Sequence, residues 1–376
     1  MHGGIGAFVQ MLGRALVADG HSVRVVGMYD HANPAPEYEE DHGVEVWRLR
    51  RPRLRLGWLW GRYQVFKTVS KWSRNNEIDL VEIADYAGSA AKWPKLRVPV
   101  IARLHGSATY FATELNRKIK KIDYWLGNAS LKRANFICSV SHYTAVQTQR
   151  AFNLPHDPVA ILYNFVETND SLALQSRSKV NVVFSGTLTW KKGIISLIQA
   201  WPSVLLKCKD AQLHVYGKDV LIEKNRLIRQ VIIGGLEKDQ QDSIRFHGHV
   251  PRQEVLSALS TARLGVFPSY AESFGLGPAE SMAAACPTIY TERGCGGELV
   301  RNLQDGLLIN PDAPEEIAEA ILRLLQDDIL AAELGTAGQQ RIRENFSAAV
   351  LLPQNIAFYR QCIATFNRDI LILQNA

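Results

Sequence analysis

Long apolar runs are missing from the 376-residue chain, and no stretch is continuous enough to cross a bilayer as a helix. The opening residues lack the basic and apolar pattern of a secretory leader. Cysteine is sparse. Five residues (Cys138, Cys208, Cys286, Cys295, Cys362) are scattered, odd in number and without a C-x-x-C pair. That argues against a disulfide framework or a zinc site and fits a reducing cytoplasm. No Asp-x-Asp pair is present to hold a divalent metal. Neither a short repeat nor a low-complexity tract occurs. Charge of one sign is only modestly in excess. A net +6 suits an anionic membrane surface or a phosphorylated ligand and does not imply nucleic acid.

What is present is a globular composition, 47% hydrophobic and 21% charged, on a chain too long for one core and suited to two domains. Strands and helices alternate. Gly3-Gly4-Ile5-Gly6 is a glycine-rich loop opening a helix, with Phe8, Leu12, Ala15 and Leu16 on one face and Gly20 as the stop. Doubly wound domains place a strand before such a loop. None precedes it here, so the first domain is expected to lack its first strand, through a late start or a truncation; the alternative is a shorter native sheet. Ser22–Val26, Asp79–Ile83, Val98–Leu104, Phe136–Val140 and Val159–Tyr163 read as strands. Polar residues 167–179 mark a boundary. A second series is seen at Val180–Phe184, Gln212–Tyr216, Ile244–His247, Leu264–Phe267, Thr288–Tyr290 and Leu307–Ile309, with helices between, and a last helix runs from about Ala348 to Phe366. The class is α/β with two parallel sheets, residues 1–168 and 169–349 forming the domains.

The second series is organised around Phe267-Pro268-Ser269-Tyr270-Ala271-Glu272-Ser273-Phe274-Gly275-Leu276-Gly277-Pro278-Ala279-Glu280. An apolar strand ends in a loop that feeds a helix. Such an N-terminus presents unpaired N–H groups and a positive dipole end to phosphate or sugar hydroxyls. Gly275 and Gly277 permit close backbone approach, and Pro278 fits the first helical position. Glu280 also stands where a capping glutamate would stand after an N-cap at Gly277, and Glu272 reads equally as a solvated loop acid.

Glu272 and Glu280, separated by seven residues around Ser-Phe-Gly and preceded by Phe-Pro-Ser, resemble the E-x7-E signature of retaining glycosyltransferases of family 4. The resemblance covers nearly the whole chain. It implies the GT-B fold, two facing Rossmann-like domains with the C-terminal helix (about 350–376) packing back on the first. It also implies that Glu280 binds the ribose hydroxyls of a nucleoside-diphosphate sugar, UDP- or GDP-linked, and that Glu272 contacts the donor sugar. Backbone N–H groups of Phe274, Gly275 and Leu276 would hold hydroxyls or phosphate oxygens.

Other segments fit the same family. Gly186-Thr187-Leu188-Thr189-Trp190-Lys191-Lys192-Gly193 resembles its diphosphate-binding Gly-Arg…Lys-Gly loop. Lys192 matches the lysine and Thr187 replaces the arginine; either Lys191, Arg293 or another cation substitutes for it, or donor binding is weaker. A solvated helix start is the plainer reading of the two lysines. His105-Gly106 at a strand end resembles the family's His-Gly, whose histidine reaches the donor sugar; a lone strand-end histidine is otherwise structural. Gly4 and Gly6 would lie near the donor phosphates. Gly294-Cys295-Gly296-Gly297-Glu298 resembles a Gly-Gly-x-x-Glu loop.

These residues imply a retaining, metal-independent transfer to a glycan or lipid-linked acceptor, with Glu272, His105 and Lys192 at the reacting centre and no cofactor. The absence of Asp-x-Asp argues against the other main glycosyltransferase fold. Another enzyme of the same fold, an epimerase or a phosphorylase, is a second possibility. A non-catalytic nucleotide-sugar-binding or scaffold protein is a third, for which Thr187 and the missing first strand both leave room. Finally, Arg48, Arg50, Arg51, Arg53, Arg55, Trp58, Trp60, Arg62 and Tyr63 interleave cations with aromatics. Either this segment meets an anionic membrane, with Arg117, Lys118, Lys120 and Lys121 widening the patch, or its tryptophans pack on the core. The first reading places the protein in the cytoplasm, peripheral at the inner face of the membrane.

Overall fold

The computed structural model describes residues 3–30, 35–53, 57–154, 160–168, 176–221 and 226–374. The chain divides into two compact units. One comprises Met1–Phe165 with Leu351–Ala376, and the other Val166–Val350.

The second unit is a doubly wound sheet. Its strands are β8 (Asn181–Ser185), β9 (Gln212–Tyr216), β10 (Ile244–Gly248), β11 (Leu264–Phe267), β12 (Thr288–Thr291) and β13 (Leu307–Ile309), numbered after the seven strands of the first unit. They lie in the order β10-β9-β8-β11-β12-β13, and every pairing is parallel. Strands covered on both faces must be apolar throughout, as Leu264-Gly265-Val266-Phe267 is. Helices Ile194–Lys207 and Pro314–Gln326 pack on one face. Trp201 is wholly buried there and keeps its indole N–H satisfied by Ser243 Oγ at 2.8 Å. Strand order reverses between β8 and β11. At such a switch point the loops leave in opposite directions and open a crevice at the carboxyl ends of the strands.

The first unit holds two sheets where the sequence suggested one. β1 (Arg24–Tyr29), β2 (Tyr38–Asp41) and β3 (Val44–Arg50) form a mixed sheet, order β1-β3-β2, with β2 antiparallel. β4 (Val81–Ala84), β5 (Val100–Leu104), β6 (Phe136–Ser139) and β7 (Ala160–Ile161) form a parallel one in chain order. Among the described residues no strand pairs β1 with β4, so each ends its own sheet. Side chains still join the two sheets. Val26 and Trp47 of the first pack against the cluster that contains Ile83 and Val100 of the second.

Two boundary expectations are corrected. The first helix already begins at Gly3 and runs to Ala18, so Gly4 and Gly6 are helical rather than part of a loop; Met1 and His2 lie outside the described residues. The final helix is longer than its apolar period suggested, Ala348–Gln374. Val159 and most of the polar 167–179 segment lie outside the described residues.

The last helix belongs to the first unit through one network. Arg103, on β5 and wholly buried, donates from Nε and Nη2 to both oxygens of Glu82 on β4 at 3.0 and 2.9 Å. Its Nη2 also reaches Asn355 Oδ1 (2.7 Å) and Tyr359 Oη (3.0 Å), and Tyr359 Oη donates to Glu82 at 2.7 Å. A buried guanidinium requires this degree of satisfaction.

Candidate active site

The switch point brings together two loops that are far apart in sequence. After β8 the chain runs through Gly186 and the exposed Thr187 into a short 3-10 turn, Trp190–Lys192. After β11 it runs through Pro268 to Phe274. Gly193 is where they touch. Its φ is +72°, and a Cβ there would lie 1.7 Å from the Pro268 carbonyl oxygen, so glycine alone fits. The Tyr270 N–H donates to Lys191 O at 2.8 Å.

Tyr270, which sequence reasoning treated as a turn residue, pins both loops. Its ring stacks on Trp190 (4.7 Å, 21°), Arg293 lies 5.3 Å above it, and its hydroxyl meets Ser196 Oγ and Pro311 O, each at 2.9 Å.

This scaffold places Lys192 against Glu272. The ammonium donates to Glu272 Oε1 at 2.5 Å, and Ser269 Oγ donates to the same oxygen at 2.8 Å. Glu272 is 8% exposed. Burial alone would raise its pKa, yet the Lys192 and Lys191 ammoniums outweigh burial and hold it below the usual carboxylate value. Lys191 therefore faces the same carboxylate, whereas Arg293, the other candidate cation, is paired with Asp312.

Helix Leu276–Ala283 comes next, with Gly275 rather than Gly277 as its N-cap. Gly275 has φ +92°, and a Cβ there would come within 2.3 Å of Tyr290 Oη. Pro278 is thus the third helical position, not the first. It still lies in the first turn, where a missing N–H costs no helical bond; the first such bond runs from Ala279 N to Gly275 O at 3.2 Å. Glu280, two positions further on, is not a capping glutamate. Its carboxylate takes Arg252 Nε at 2.6 Å, and Arg252 Nη1 takes Glu167 at 2.8 Å. Burial raises the Glu280 pKa despite Arg252. The two acids of the E-x7-E pattern are thus pushed in opposite directions, one held ionised by lysines and the other drawn towards its protonated form.

Arg252 was not singled out from sequence. Only its place just after Pro251, at the start of helix Arg252–Thr261, hinted at a loop-end position. Among the described residues its buried Nη2 has no hydrogen-bond partner. A buried guanidinium donor beside a carboxylate can still donate to an oxygen acceptor.

The other residues singled out from sequence, His105, Gly4 and Gly6, lie in the first unit. His105 comes directly after β5 and is 5% exposed. Its ring sits 5.6 Å from that of Phe8 on the first helix, so the Gly4/Gly6 helix and His105 are neighbours. Burial, and then Arg103, lower its pKa to about 3, so the imidazole is neutral. The backbone N–H of His105 donates to Asp85 Oδ1 at 2.9 Å. Asp85 is buried, its Oδ2 has no hydrogen-bond partner among the described residues, and burial raises its pKa to about 7 against backbone N–H groups of His105–Ser107.

Among the described residues no group of three or more His, Cys, Asp or Glu is arranged to hold a metal ion, and no helix is long and apolar enough to cross a membrane.

Similarity to known proteins respects this division. Residues 2–170 match the family described as Glycosyltransferase Family 4, and residues 179–327 match Glycosyl transferases group 1. An uncharacterised glycosyltransferase of Methanocaldococcus jannaschii is 24% identical over 97% of this chain and 96% of its own length. Among solved structures, sucrose-phosphate synthase from Thermosynechococcus elongatus superposes with a TM-score of 0.80 at 21% identity, covering 96% of this chain and 94% of that one. Anabaena HepE in complex with UDP and glucose gives 0.70 at 18% identity, covering 94% and 95%. At these identities the superpositions show the fold, GT-B.

Proposed function

The chain belongs to glycosyltransferase family 4 and is a glycosyltransferase of GT-B fold, and from that premise we propose a retaining, metal-independent transfer from a nucleoside-diphosphate sugar to a glycan or lipid-linked acceptor. The observation that carries this reading is the Lys192–Glu272 pair at the switch point of the second unit, with Glu280 on the helix immediately after it held by Arg252. In this reading Glu280 accepts the ribose hydroxyls, and the spare Nη2 of Arg252 donates to the nucleotide. Lys192, with Lys191 beside it, takes the diphosphate, where the family's arginine is replaced by Thr187. Glu272 then exchanges part of its ion pair for a hydroxyl of the donor sugar. The N-terminus of Leu276–Ala283 adds its dipole, with the N–H groups around Phe274, Gly275 and Leu276 turned to the same ligand.

The chemistry is departure of the diphosphate from the anomeric carbon. Cations placed where negative charge grows stabilise that departure. The acceptor oxygen forms its bond on the face the leaving group vacates, and the acceptor proton passes to the departing diphosphate. Neutral His105 serves as a hydrogen-bonding partner for sugar, since an imidazole titrating near pH 3 carries no charge at working pH. Binding of UDP by the HepE structure supports a uridine donor, with a guanosine donor as the alternative. Thr187 favours a second reading, a nucleotide-sugar-binding protein without turnover.

A panel of UDP-, GDP- and ADP-sugars separates the two. Nucleoside diphosphate release from one donor, unchanged by EDTA and lost in Glu272→Ala, is the expected result. Release that survives Glu272→Ala, or stops with EDTA, overturns the assignment; binding without release selects the second reading.

A further inference from the structure

The cationic–aromatic segment at residues 48–63 is not laid out as its sequence suggested. Arg48 and Arg50 lie on β3 and are ion-paired with Glu39 and Glu37. Arg62 is half-buried, hydrogen-bonded to Gly88 O and set over Trp58. Arg55 lies outside the described residues. Two of the segment's three aromatics nevertheless stay in solvent, while Trp58 is half-buried. Trp60 and Tyr63, in the first turns of helix Gly57–Arg74, are 51% and 52% exposed.

Arg51 and Arg53 of the segment are also exposed, and further cations come from elsewhere in the first unit. Residues 117–122 are exposed throughout, and Lys118, Lys120 and Lys121 lie among them. Ile122 (49%) and Trp125 (46%) continue this stretch into helix Lys121–Arg133, with Lys92 Nζ 5.0 Å above the Trp125 ring. Ile119, Lys121, Ile122, Tyr124 and Trp125 line an open groove of about 750 Å³. The turn Tyr86–Gly88 links the two helices. Arg62 reaches Gly88 from one side, and a Cβ on Gly88 would lie 2.4 Å from Leu126 O on the other. Tyr86 itself is 57% exposed. The helix at 57–74 and the turn at 86–88 come after the carboxyl ends of β3 and β4, the ends from which open sheets present their ligand loops.

Other tryptophans of this unit, Trp72 and Trp93, are buried, so exposure of Trp60 and Trp125 is not a general failure to pack. A single exposed apolar residue is unremarkable, but a cluster rimmed by lysines marks an interaction surface.

We propose that the face formed by Ile119, Ile122 and Trp125 with Lys118, Lys120 and Lys121 docks the protein on an anionic lipid bilayer. It deepens the lipid-linked acceptor reading above and rests on it only for its purpose. Lysines meet anionic headgroups, while tryptophan and isoleucine enter the boundary between headgroups and acyl chains. Asp123, in the first turn of helix Lys121–Arg133, is an acid set among these lysines, and residues 117–125 keep a net positive charge.

The test is co-sedimentation of the full chain with phosphatidylcholine vesicles, with and without phosphatidylglycerol, at low and high salt. Wild type is expected to pellet only with phosphatidylglycerol at low salt. The triple variant Lys118→Gln, Lys120→Gln, Lys121→Gln is expected to partition roughly 100-fold more weakly. Ile122→Ser with Trp125→Ser should also weaken binding and reduce the blue shift of tryptophan emission. These side chains are exposed, so both variants should fold, and donor hydrolysis without vesicles is their control. Wild type remaining in solution, or both variants binding like wild type, overturns the proposal. Vesicle binding without hydrolysis of any donor would instead remove the transferase reading and leave this surface standing.

Discussion

Arg103→Met tests the account of the first unit most severely. The substitution roughly keeps volume and removes the cation from a site where Glu82, Asn355 and Tyr359 converge. Breaking a buried pair costs about 3–5 kcal/mol because the partner charge stays behind. Glu82 keeps 19% of its side-chain surface, so the lower end, about 3 kcal/mol, applies. For a unit of this size that is a fall in melting temperature of about 6–12 °C. The pH dependence should also change. In the wild type, burial raises the Glu82 pKa, but Arg103 and the Tyr359 hydroxyl overcome it, and the net pKa lies below the ordinary value. That contribution is complete above the unfolded carboxylate pKa and is lost as pH falls through the folded one. Without Arg103 the raising effect of burial dominates, so the variant should gain stability from this group as pH falls. Urea unfolding at pH 5 and pH 8 measures both quantities. Adding Glu82→Gln should recover most of the loss, since no buried charge then remains. A loss under about 1 kcal/mol, or an unchanged pH slope, would refute the reasoning.

Three further outcomes are expected from the same geometry. Gly193→Ala forces a left-handed backbone, about 1–2 kcal/mol by itself, and drives a methyl into Pro268 O; a lowered melting temperature of the second unit is expected, and an unchanged melt contradicts the loop contact. Asp85, with its pKa raised to about 7, loses stability for the fold as pH rises from the ordinary carboxylate value through about 7; Asp85→Asn should flatten the stability profile over that range, and an unaltered profile would remove the buried acid. Cys138, Cys286, Cys295 and Cys362 are buried with raised thiol pKa values, whereas Cys208 is only half-buried; Ellman's reagent should find at most one fast thiol in the native chain, and two or more would contradict the packing.

The sequence revealed what is local. The strand, turn and helix around Glu272 and Glu280 were legible because β11 is uniformly apolar and the glycines and proline punctuate the loop and helix beyond it. The cap was misplaced by two residues, because composition offers both Gly275 and Gly277 while only Gly275 has the left-handed φ and the close approach to Tyr290. Arg252 was invisible: its partner Glu280 is 28 residues away, and nothing but tertiary packing joins them. Strand β2, Tyr-Glu-Glu-Asp, was missed because an exposed edge strand needs no apolar alternation. The neutrality of His105 was equally hidden, since it arises from burial in the folded unit, with Arg103 adding to it.

The first unit is discontinuous along the chain, and this has a consequence for synthesis on the ribosome. Arg103 meets Tyr359 across a separation of 256 residues. At cellular elongation rates, roughly 10–50 s pass between the appearance of the two residues. During that interval the whole of the second unit emerges and has its full sequence, while the first waits with the sheet face that will receive Tyr359, Phe358 and Cys362 still uncovered. The nascent first unit therefore passes through a period in which Arg103 has Glu82 but neither Asn355 nor Tyr359, and an apolar surface is open to a chaperone or to a neighbouring nascent chain.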